Sequence, residues 1–366
     1  MPIVGDRHWN VIDFLSGEDE PHSNGWCMDM RSIRNRVSHN AAAFAVTCFA
    51  FWLLSSHANA QRTVDDILSA VVRVQTEINP SARTAGTLGA ERDGHGVVID
   101  SSGLVLTIGY LILESSSVLV TGPDGVALPA SVVAYDSETG FGLVRTQQPV
   151  PVRPMRLGDS AQLNEGAGVI VAGFGGRGNT IRATVVARRE FAGYWEYLLP
   201  NAIFTQPPFR VFGGAALINQ DGRLVGIGSL VVGDAKQGNA LSPGNMFIPI
   251  NALKPILGAL IEGGRSERPA RPWIGVYTEE IRQRVFVTRL ASDGPGVAAG
   301  VETGDIIVSI GGKPVTGMTD FYRKLWALGA PGVEVPLTVL RQTGGLETLT
   351  LRSRDRYDWY RFGTGN

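Results

Sequence analysis

The chain has 366 residues and is nearly neutral, with 33 basic and 34 acidic residues and a formal net charge of −1. Hydrophobic residues make up 44% of it, which is enough to fill two globular cores over this length. Because no charge of one sign dominates, the composition argues against a nucleic-acid partner and against an anionic lipid surface.

Residues 1–60 have the order of a secretory signal peptide. A basic region, an apolar run and a small-residue cleavage site follow one another: Arg31, Arg34 and Arg36, then residues 41–54, then Ala58-Asn59-Ala60. The apolar run is shorter than the roughly 20 residues that cross a bilayer, so we expect cleavage before Gln61. Retention as a signal anchor in the inner membrane is the alternative. The front of the segment is long, and Met28 or Met30 would give a leader of ordinary length.

Cysteine and histidine are scarce beyond this leader. Both cysteines, Cys27 and Cys48, lie within it, and His95 is the one histidine after residue 60. We therefore expect no disulfide, no zinc or other metal site and no cofactor in the exported chain. A single histidine between glycines at the start of a strand predicts a surface or capping residue. The leader, with no cysteine at its cleavage site for a lipid anchor, predicts a periplasmic protein.

Short β-branched runs alternate with glycine turns between residues 61 and 260. The runs lie at residues 71–74, 96–99 and 169–172, and two of the turns lie at residues 100–103 and 220–222. Strands of this length and spacing predict an antiparallel barrel or sandwich.

A polar, glycine-rich stretch at residues 261–271 predicts a linker to a second domain. Beyond it, residues 272–353 mix strands with two helical stretches, near residues 297–300 and 318–328. In the second stretch three apolar residues share one face at helical spacing: Phe321, Leu325 and Leu328. The charged and aromatic tail at residues 354–366 is interpreted as packing on this domain, and a partner-binding tail is the alternative.

Three segments resemble the HtrA family: GHGVVIDSSGLVLT at residues 94–107, GGAALINQDGRLVGI at residues 213–227 and GVETGDIIVSIGGKPV at residues 300–315. The resemblance implies a mainly β fold. We expect a trypsin-like double antiparallel β-barrel over residues 61–260, followed by a C-terminal α+β PDZ domain over residues 272–353.

The resemblance also indicates where a Ser-His-Asp triad would lie. The histidine position is occupied by Tyr110, the aspartate position by Gly140 and the serine position by Phe212. Arg210 replaces a glycine whose amide serves the oxyanion hole in the family. No serine occurs within residues 161–228, so a shift of the alignment supplies no nucleophile. We therefore expect no catalytic residues in this chain.

The peptide-binding elements of a PDZ domain have matching residues in this chain. By resemblance, the loop that offers backbone amides to a peptide carboxylate consists of Trp273, Ile274, Gly275 and Val276. Phe321 and Leu325 would line the other wall of the groove, and the alternative is that they only fill the core.

The sequence therefore favours a catalytically inactive HtrA-like pseudoprotease of the periplasm. Its expected ligands are peptide C-termini or unfolded envelope proteins. Its expected role is that of an adaptor, a chaperone-like factor or a regulator of active HtrA-type proteases. By resemblance it would form a homo-trimer. The alternatives are a serine-type endopeptidase of the HtrA class and a structural role in an envelope assembly.

Overall fold

The computed structural model describes residues 62–236, 238 and 241–360. The expected leader at residues 1–60 lies outside this part of the chain. No helix within the described ranges is long and apolar enough to cross a membrane.

Six antiparallel strands close into a first barrel in the order β1-β2-β3-β6-β5-β4. They are β1 (Val71–Ile78), β2 (Glu91–Val98), β3 (Leu104–Ile108), β4 (Ser115–Thr121), β5 (Ala127–Tyr135) and β6 (Phe141–Thr146). Three short helices accompany them, α1 (Val64–Leu68), α2 (Ala85–Leu88) and α3 (Gly109–Ile112). The side chains of β1 alternate as a barrel requires, since Val72 and Val74 are fully buried while Arg73 is partly exposed.

A second closed barrel follows, in the order β10-β11-β12-β9-β8-β7. Its strands are β7 (Gly168–Ala172), β8 (Thr180–Gly193), β9 (Tyr197–Gln206), β10 (Ala216–Ile218), β11 (Leu224–Val232) and β12 (Gly244–Pro249). The expected double barrel is thus confirmed. β8 and β9 remain paired as far as Gly193 and Tyr197. Their tip, residues 190–198, is called the β8–β9 hairpin below.

The segment expected as a linker is held against the first barrel. Helix α4 (Leu257–Gly263) continues into it. Arg268 and Arg271 then pair with the carboxylate of Glu138, at N–O distances of 3.7 and 3.0 Å. The expectation of a simple linker therefore misses contacts that restrict how the next domain can sit.

The C-terminal domain is a sheet with two helices, as the expected α+β architecture requires. Its strands run in the order β13-β14-β15-β17-β18, with β16 paired to β15. They are β13 (Val276–Ile281), β14 (Arg284–Leu290), β15 (Ile306–Ile310), β16 (Lys313–Pro314), β17 (Glu334–Leu340) and β18 (Leu346–Arg352). The helices are α5 (Pro295–Ala298) and α6 (Met318–Trp326). β13 lies at the edge of the sheet and pairs with β14 on one side.

The described part of the tail forms helix α7 (Arg356–Trp359) and packs on both domains. Trp359 is 3% exposed and its ring centroid lies 5.0 Å from that of Trp273. The hydroxyl of Tyr357 donates to the carbonyl of Tyr135 in the first barrel at 2.6 Å. These contacts favour a structural role for residues 354–360.

A buried guanidinium fixes the segment that carries Tyr110. Arg92 is 5% exposed, and its Nη1 donates to the carbonyls of Tyr110 and Leu113 at 2.6 and 2.8 Å. Its Nη2 donates to Thr84 Oγ1 at 2.8 Å, and that hydroxyl donates to Glu114. The Arg92 side chain therefore donates hydrogen bonds both to carbonyls at the end of α3 and to the hydroxyl of Thr84, the residue before α2.

Replacing Arg92 should destabilise the first barrel. Arg92→Met removes the donor of two carbonyls, those of Tyr110 and Leu113, and the positive charge near the Glu114 carboxylate, so we expect a loss of roughly 3 kcal/mol in the free energy of unfolding. Arg73→Met is the matched control, because its pair with Asp93 is on the surface and should change stability by less than about 1 kcal/mol. Urea unfolding compares the two, and equal losses would contradict the role given to Arg92.

Candidate functional site

The structure brings together the three residues at the expected triad positions. Tyr110 lies in helix α3, Gly140 lies in the turn before β6, and Phe212 lies between β9 and β10. All three line one cavity of about 260 Å³, called the aromatic cavity below. Its other lining residues are Arg83, Thr84, Thr87, Leu88, Ile108, Leu113, Tyr135, Tyr194, Trp195, Tyr197, Ser229, Leu230, Tyr277, Arg289 and Tyr360.

Tyr110 is unsuited to the role of a general base. Its hydroxyl donates to the carbonyl of Ser229 at 3.1 Å, so the phenol is used as a hydrogen-bond donor. Burial, with a smaller effect from Tyr194, raises the pKa of Tyr110 well above its usual value. At neutral pH the phenol therefore stays protonated and has no capacity to take a proton from a nucleophile.

Gly140 lies in a backbone conformation that leaves little room for an acid. Its φ is +86°, a region that side chains with a Cβ rarely adopt. A Cβ added there would lie 3.3 Å from Ile248 Cδ1 and 3.5 Å from the hydroxyl of Tyr197. The nearby Asp136 does not line the cavity. Its carboxylate accepts hydrogen bonds from the N–H and the hydroxyl of Thr139 at 2.9 and 2.6 Å.

The glycine pair after Phe212 is required by close backbone packing. A Cβ on Gly214 would lie 1.8 Å from the carbonyl oxygen of His95, and the N–H of His95 donates to the carbonyl of Gly213 at 2.8 Å. These glycines therefore keep a structural role without a serine beside them. Arg210 is exposed and does not line the aromatic cavity.

The expectation that His95 is a surface or capping residue is wrong. The residue is 5% exposed, and its Nδ1 accepts from the N–H of Phe174 at 3.1 Å. Its ring lies against Phe209 and Gly173. Burial lowers the pKa of His95, so the imidazole is neutral at pH 7. It does not line the aromatic cavity and cannot replace the missing base there.

Aromatic, aliphatic, hydroxyl and guanidinium side chains line the aromatic cavity. Among the described residues that line it there is no histidine, lysine, cysteine, aspartate or glutamate. Apart from the tyrosines, the hydroxyls in the lining belong to Thr84, Thr87 and Ser229. None of these has a carboxylate or an imidazole beside it within the lining.

The amides of the expected carboxylate loop hold a carboxylate from within the chain. The N–H groups of Gly275 and Val276 donate to Oε1 of Glu196 at 2.7 and 3.0 Å. The N–H of Ile274 lies 3.3 Å from Oε1 and 3.2 Å from Oε2. Gly275 has a φ of +72°, which turns three successive amides toward one anion. Glu196 itself has a φ of +53° at the tip of the β8–β9 hairpin.

The same hairpin lies along the edge strand of the PDZ domain. The N–H of Thr278, in β13, donates to the carbonyl of Tyr194 at 2.9 Å. From helix α6, the hydroxyl of Tyr322 donates to the carbonyl of Gly193 at 2.8 Å. The hairpin therefore lies between β13 and α6, where an added peptide strand would bind in this type of domain.

Two side-chain contacts complete this docking. Leu198 packs in the core cluster of the PDZ domain, together with Phe321 and Leu325, which are both fully buried. At the rim, Arg323 pairs with Glu190 at an N–O distance of 2.6 Å. Phe321 and Leu325 are thus core residues here, with no surface left free for a ligand.

Trp273 does not belong to the carboxylate loop. Its N–H donates to the carbonyl of Arg354 at 3.0 Å, and its indole packs against Trp359. The loop is therefore limited to residues 274–276, and the inclusion of Trp273 in the expected site is corrected.

Glu196 is a functional residue that sequence reasoning missed. Burial raises the pKa of Glu196 to about 6, and the Arg356 guanidinium and the three loop amides oppose this rise. Arg356 also donates to the carbonyl of Trp195. The available signal was an acid inside the aromatic run Tyr194-Trp195-Glu196-Tyr197, because a carboxylate among large apolar residues needs a buried partner.

Comparison with known proteins bears on both domains. The family described as "Trypsin-like peptidase domain" matches residues 94–227, and the family described as "PDZ domain" matches residues 272–352. The chain is 27% identical over 266 residues to the periplasmic pH-dependent serine endoprotease DegQ of Escherichia coli, covering 69% of this chain and 58% of that protein. It is 26% identical over 264 residues to the periplasmic serine endoprotease DegP of Salmonella typhimurium, covering 68% and 54%.

The chain thus spans little more than half the length of these two relatives. Among solved structures, the HtrA-type protease AlgW with tripeptide matches with a TM-score of 0.46 and 20% identity, over 80% of this chain and 97% of that one. The serine endoprotease from Yersinia pestis matches with a TM-score of 0.46 and 20% identity, over 80% and 98%. The order of the two matches, a trypsin-like peptidase domain followed by a PDZ domain, makes the chain similar to the HtrA-like proteins.

Proposed function

We propose that this chain is a catalytically inactive HtrA-like protein of the periplasm that binds peptide C-termini or unfolded chains through its PDZ domain. The observation that carries the proposal is the carboxylate of Glu196 on the amides of residues 274–276. A loop that holds an internal carboxylate at hydrogen-bond distance has the geometry to hold the terminal carboxylate of a peptide.

The internal carboxylate makes peptide binding a competition. A peptide that adds to β13 requires the N–H of Thr278, which now bonds to Tyr194, and the amides that now bond to Glu196. The peptide therefore has to displace the β8–β9 hairpin, and its apparent affinity is reduced by the fraction of molecules in which the hairpin is docked. We propose that the docked hairpin is the resting state of the adaptor or regulator.

Loss of catalysis is supported by the aromatic cavity, where Tyr110, Gly140 and Phe212 stand at the triad positions. The alternative, a serine-type endopeptidase, is favoured by the names of the relatives. Within the cavity lining, Ser229 is the serine that such an enzyme could use, and no general base lies beside it there. Active HtrA-type proteases as partners and a homo-trimeric assembly remain part of the proposal.

Export is proposed from the order of the leader alone. The basic region, apolar run and small-residue motif at residues 58–60 support cleavage before Gln61. The names of the relatives place those proteins in the periplasm, which agrees with this proposal.

An active-site serine probe should not label the protein. Because the aromatic cavity offers no base to a hydroxyl, we expect no reaction with a fluorophosphonate and no cleavage of casein. An active HtrA-type protease treated in parallel is the positive control. Labelling that disappears in Ser229→Ala would establish the endopeptidase alternative.

Removing the internal carboxylate should free the peptide site. Glu196→Asn keeps a residue that tolerates positive φ but is too short to reach the loop, so the affinity for a fluorescent decapeptide ending in valine should rise about ten-fold. The exposed Glu165→Asn is the matched control and should have no effect.

Two further measurements show whether the loop is the site. Amidating the peptide C-terminus and replacing Gly275 by Val should each weaken binding, since the first removes the anion and the second places a Cβ at positive φ. Fluorescence anisotropy of the full chain measures each affinity. Equal affinity of the wild type, Glu196→Asn and Gly275→Val would refute the competition.

Peptide binding should also depend on pH. The docked state raises the pKa of Glu196 to about 6 from an ordinary 4.5, so docking is strongest below pH 4.5 and weakens as the pH rises through 6. We therefore expect the affinity for the peptide to increase about ten-fold between pH 4.5 and pH 6.5. Glu196→Gln should remove the dependence in this window, and a profile that is the same in both proteins would rule out Glu196 as its source.

A further inference from the structure

The aromatic cavity has a lining that peptide binding at the PDZ loop does not use. Its walls come from four parts of the molecule: the first barrel with Tyr110, the β8–β9 hairpin with Trp195, the PDZ domain with Tyr277 and Arg289, and the tail with Tyr360. A concave space, open to solvent on one side, in which so many large rings converge is typical of a small-molecule site.

The volume limits the size of a ligand. An apolar cavity of about 150 Å³ accommodates one benzene ring, and sites for drug-sized molecules begin near 300 Å³. The aromatic cavity, at about 260 Å³, lies between these values. Its size therefore fits a planar body of one or two fused rings that can stack on the surrounding side chains.

The charge of the lining favours an anion. Arg83 and Arg289 are the charged residues among the described residues that line the cavity. The nearest carboxylate to Arg83 is that of Asp293 at 4.0 Å, which is 79% exposed, and Nε and Nη1 of Arg83 have no hydrogen-bond partner within the described structure. Arg289 donates to the neutral Thr87 Oγ1 at 2.6 Å and lies over the ring of Tyr277.

The buried carboxylates behind the lining have partners of their own. Glu114 accepts from the N–H and hydroxyl of Thr84 and acts electrostatically on Arg92. Glu196 is held by the PDZ loop and faces Arg356. Since no acid lies in the described lining itself, Arg83 and Arg289 give it a positive charge that favours an anionic ligand.

We propose that the aromatic cavity binds a small aromatic carboxylate. Its ring lies among Tyr110, Trp195 and Phe212, and its anionic group lies toward Arg83 and Arg289. On this view the aromatic residues at two of the expected triad positions, Tyr110 and Phe212, make this part of the barrel domain a binding site for an organic anion. The proposal does not depend on peptide binding by the PDZ loop.

Isothermal titration calorimetry of the full chain with 2-naphthoate tests the proposal, and 2-naphthalenemethanol serves as its neutral isostere. We expect one site per chain with a dissociation constant on the order of 100 µM for the acid. The alcohol keeps the rings but loses the charge-assisted contacts, so it should bind at least about ten-fold more weakly. Absence of binding, or equal binding of the two compounds, would overturn the proposal. Because both compounds are titrated into the wild-type chain, the result does not depend on whether a variant folds.

Variants locate the binding within the cavity. Arg289→Gln should weaken 2-naphthoate binding about ten-fold, whereas Arg284→Gln, exposed on the same strand and outside the lining, should leave it unchanged. Thr87→Trp places a large ring at the exposed rim and should block entry. Circular dichroism confirms that each variant is folded. Equal effects of Arg289→Gln and Arg284→Gln, or undiminished binding to Thr87→Trp, would place the ligand elsewhere and refute the assignment.

Discussion

The carboxylate of Glu196 and the three amides of residues 274–276 form the contact on which the arrangement of the two domains depends. The acid belongs to the second barrel and the amides to the PDZ domain. Neither partner is stable alone in a buried interface, because an unpaired carboxylate and three unpaired N–H groups would each carry a large desolvation cost. The guanidinium of Arg356 lies close enough to stabilise the buried charge further.

The aromatic cavity is a consequence of that docking. Tyr194 and Trp195 precede Glu196 in the hairpin, and Tyr277 follows the amide loop in β13, so the contact at Glu196 brings these rings to opposite sides of one space. The aromatic cavity and the amide loop of residues 274–276 are therefore parts of a single packing arrangement. A change at one of them alters the walls of the other.

The character of the cavity follows from what replaced the triad residue types. A hydrolase needs a base, a nucleophile and an orienting acid within hydrogen-bond reach of one another. At the positions where the resemblance places such a triad, the cavity has a phenol with a raised pKa, a glycine at positive φ and a phenyl ring, at Tyr110, Gly140 and Phe212. Tyr110 and Phe212 contribute large aromatic surfaces to its lining.

The local pattern of short strands and glycine turns by itself predicted an antiparallel barrel or sandwich. The double barrel and the PDZ domain followed from the resemblance of three segments to the HtrA family, and both agree with the structure. The resemblance also indicated Gly275 as a carboxylate-loop glycine, since such a turn requires positive φ. Only the tertiary structure decided that Glu196 fills this loop and that His95 is buried. Glu196 lies 79 residues before Gly275 in the chain, and no local pattern encodes a contact over that separation. It arises from the packing of one folded domain on another.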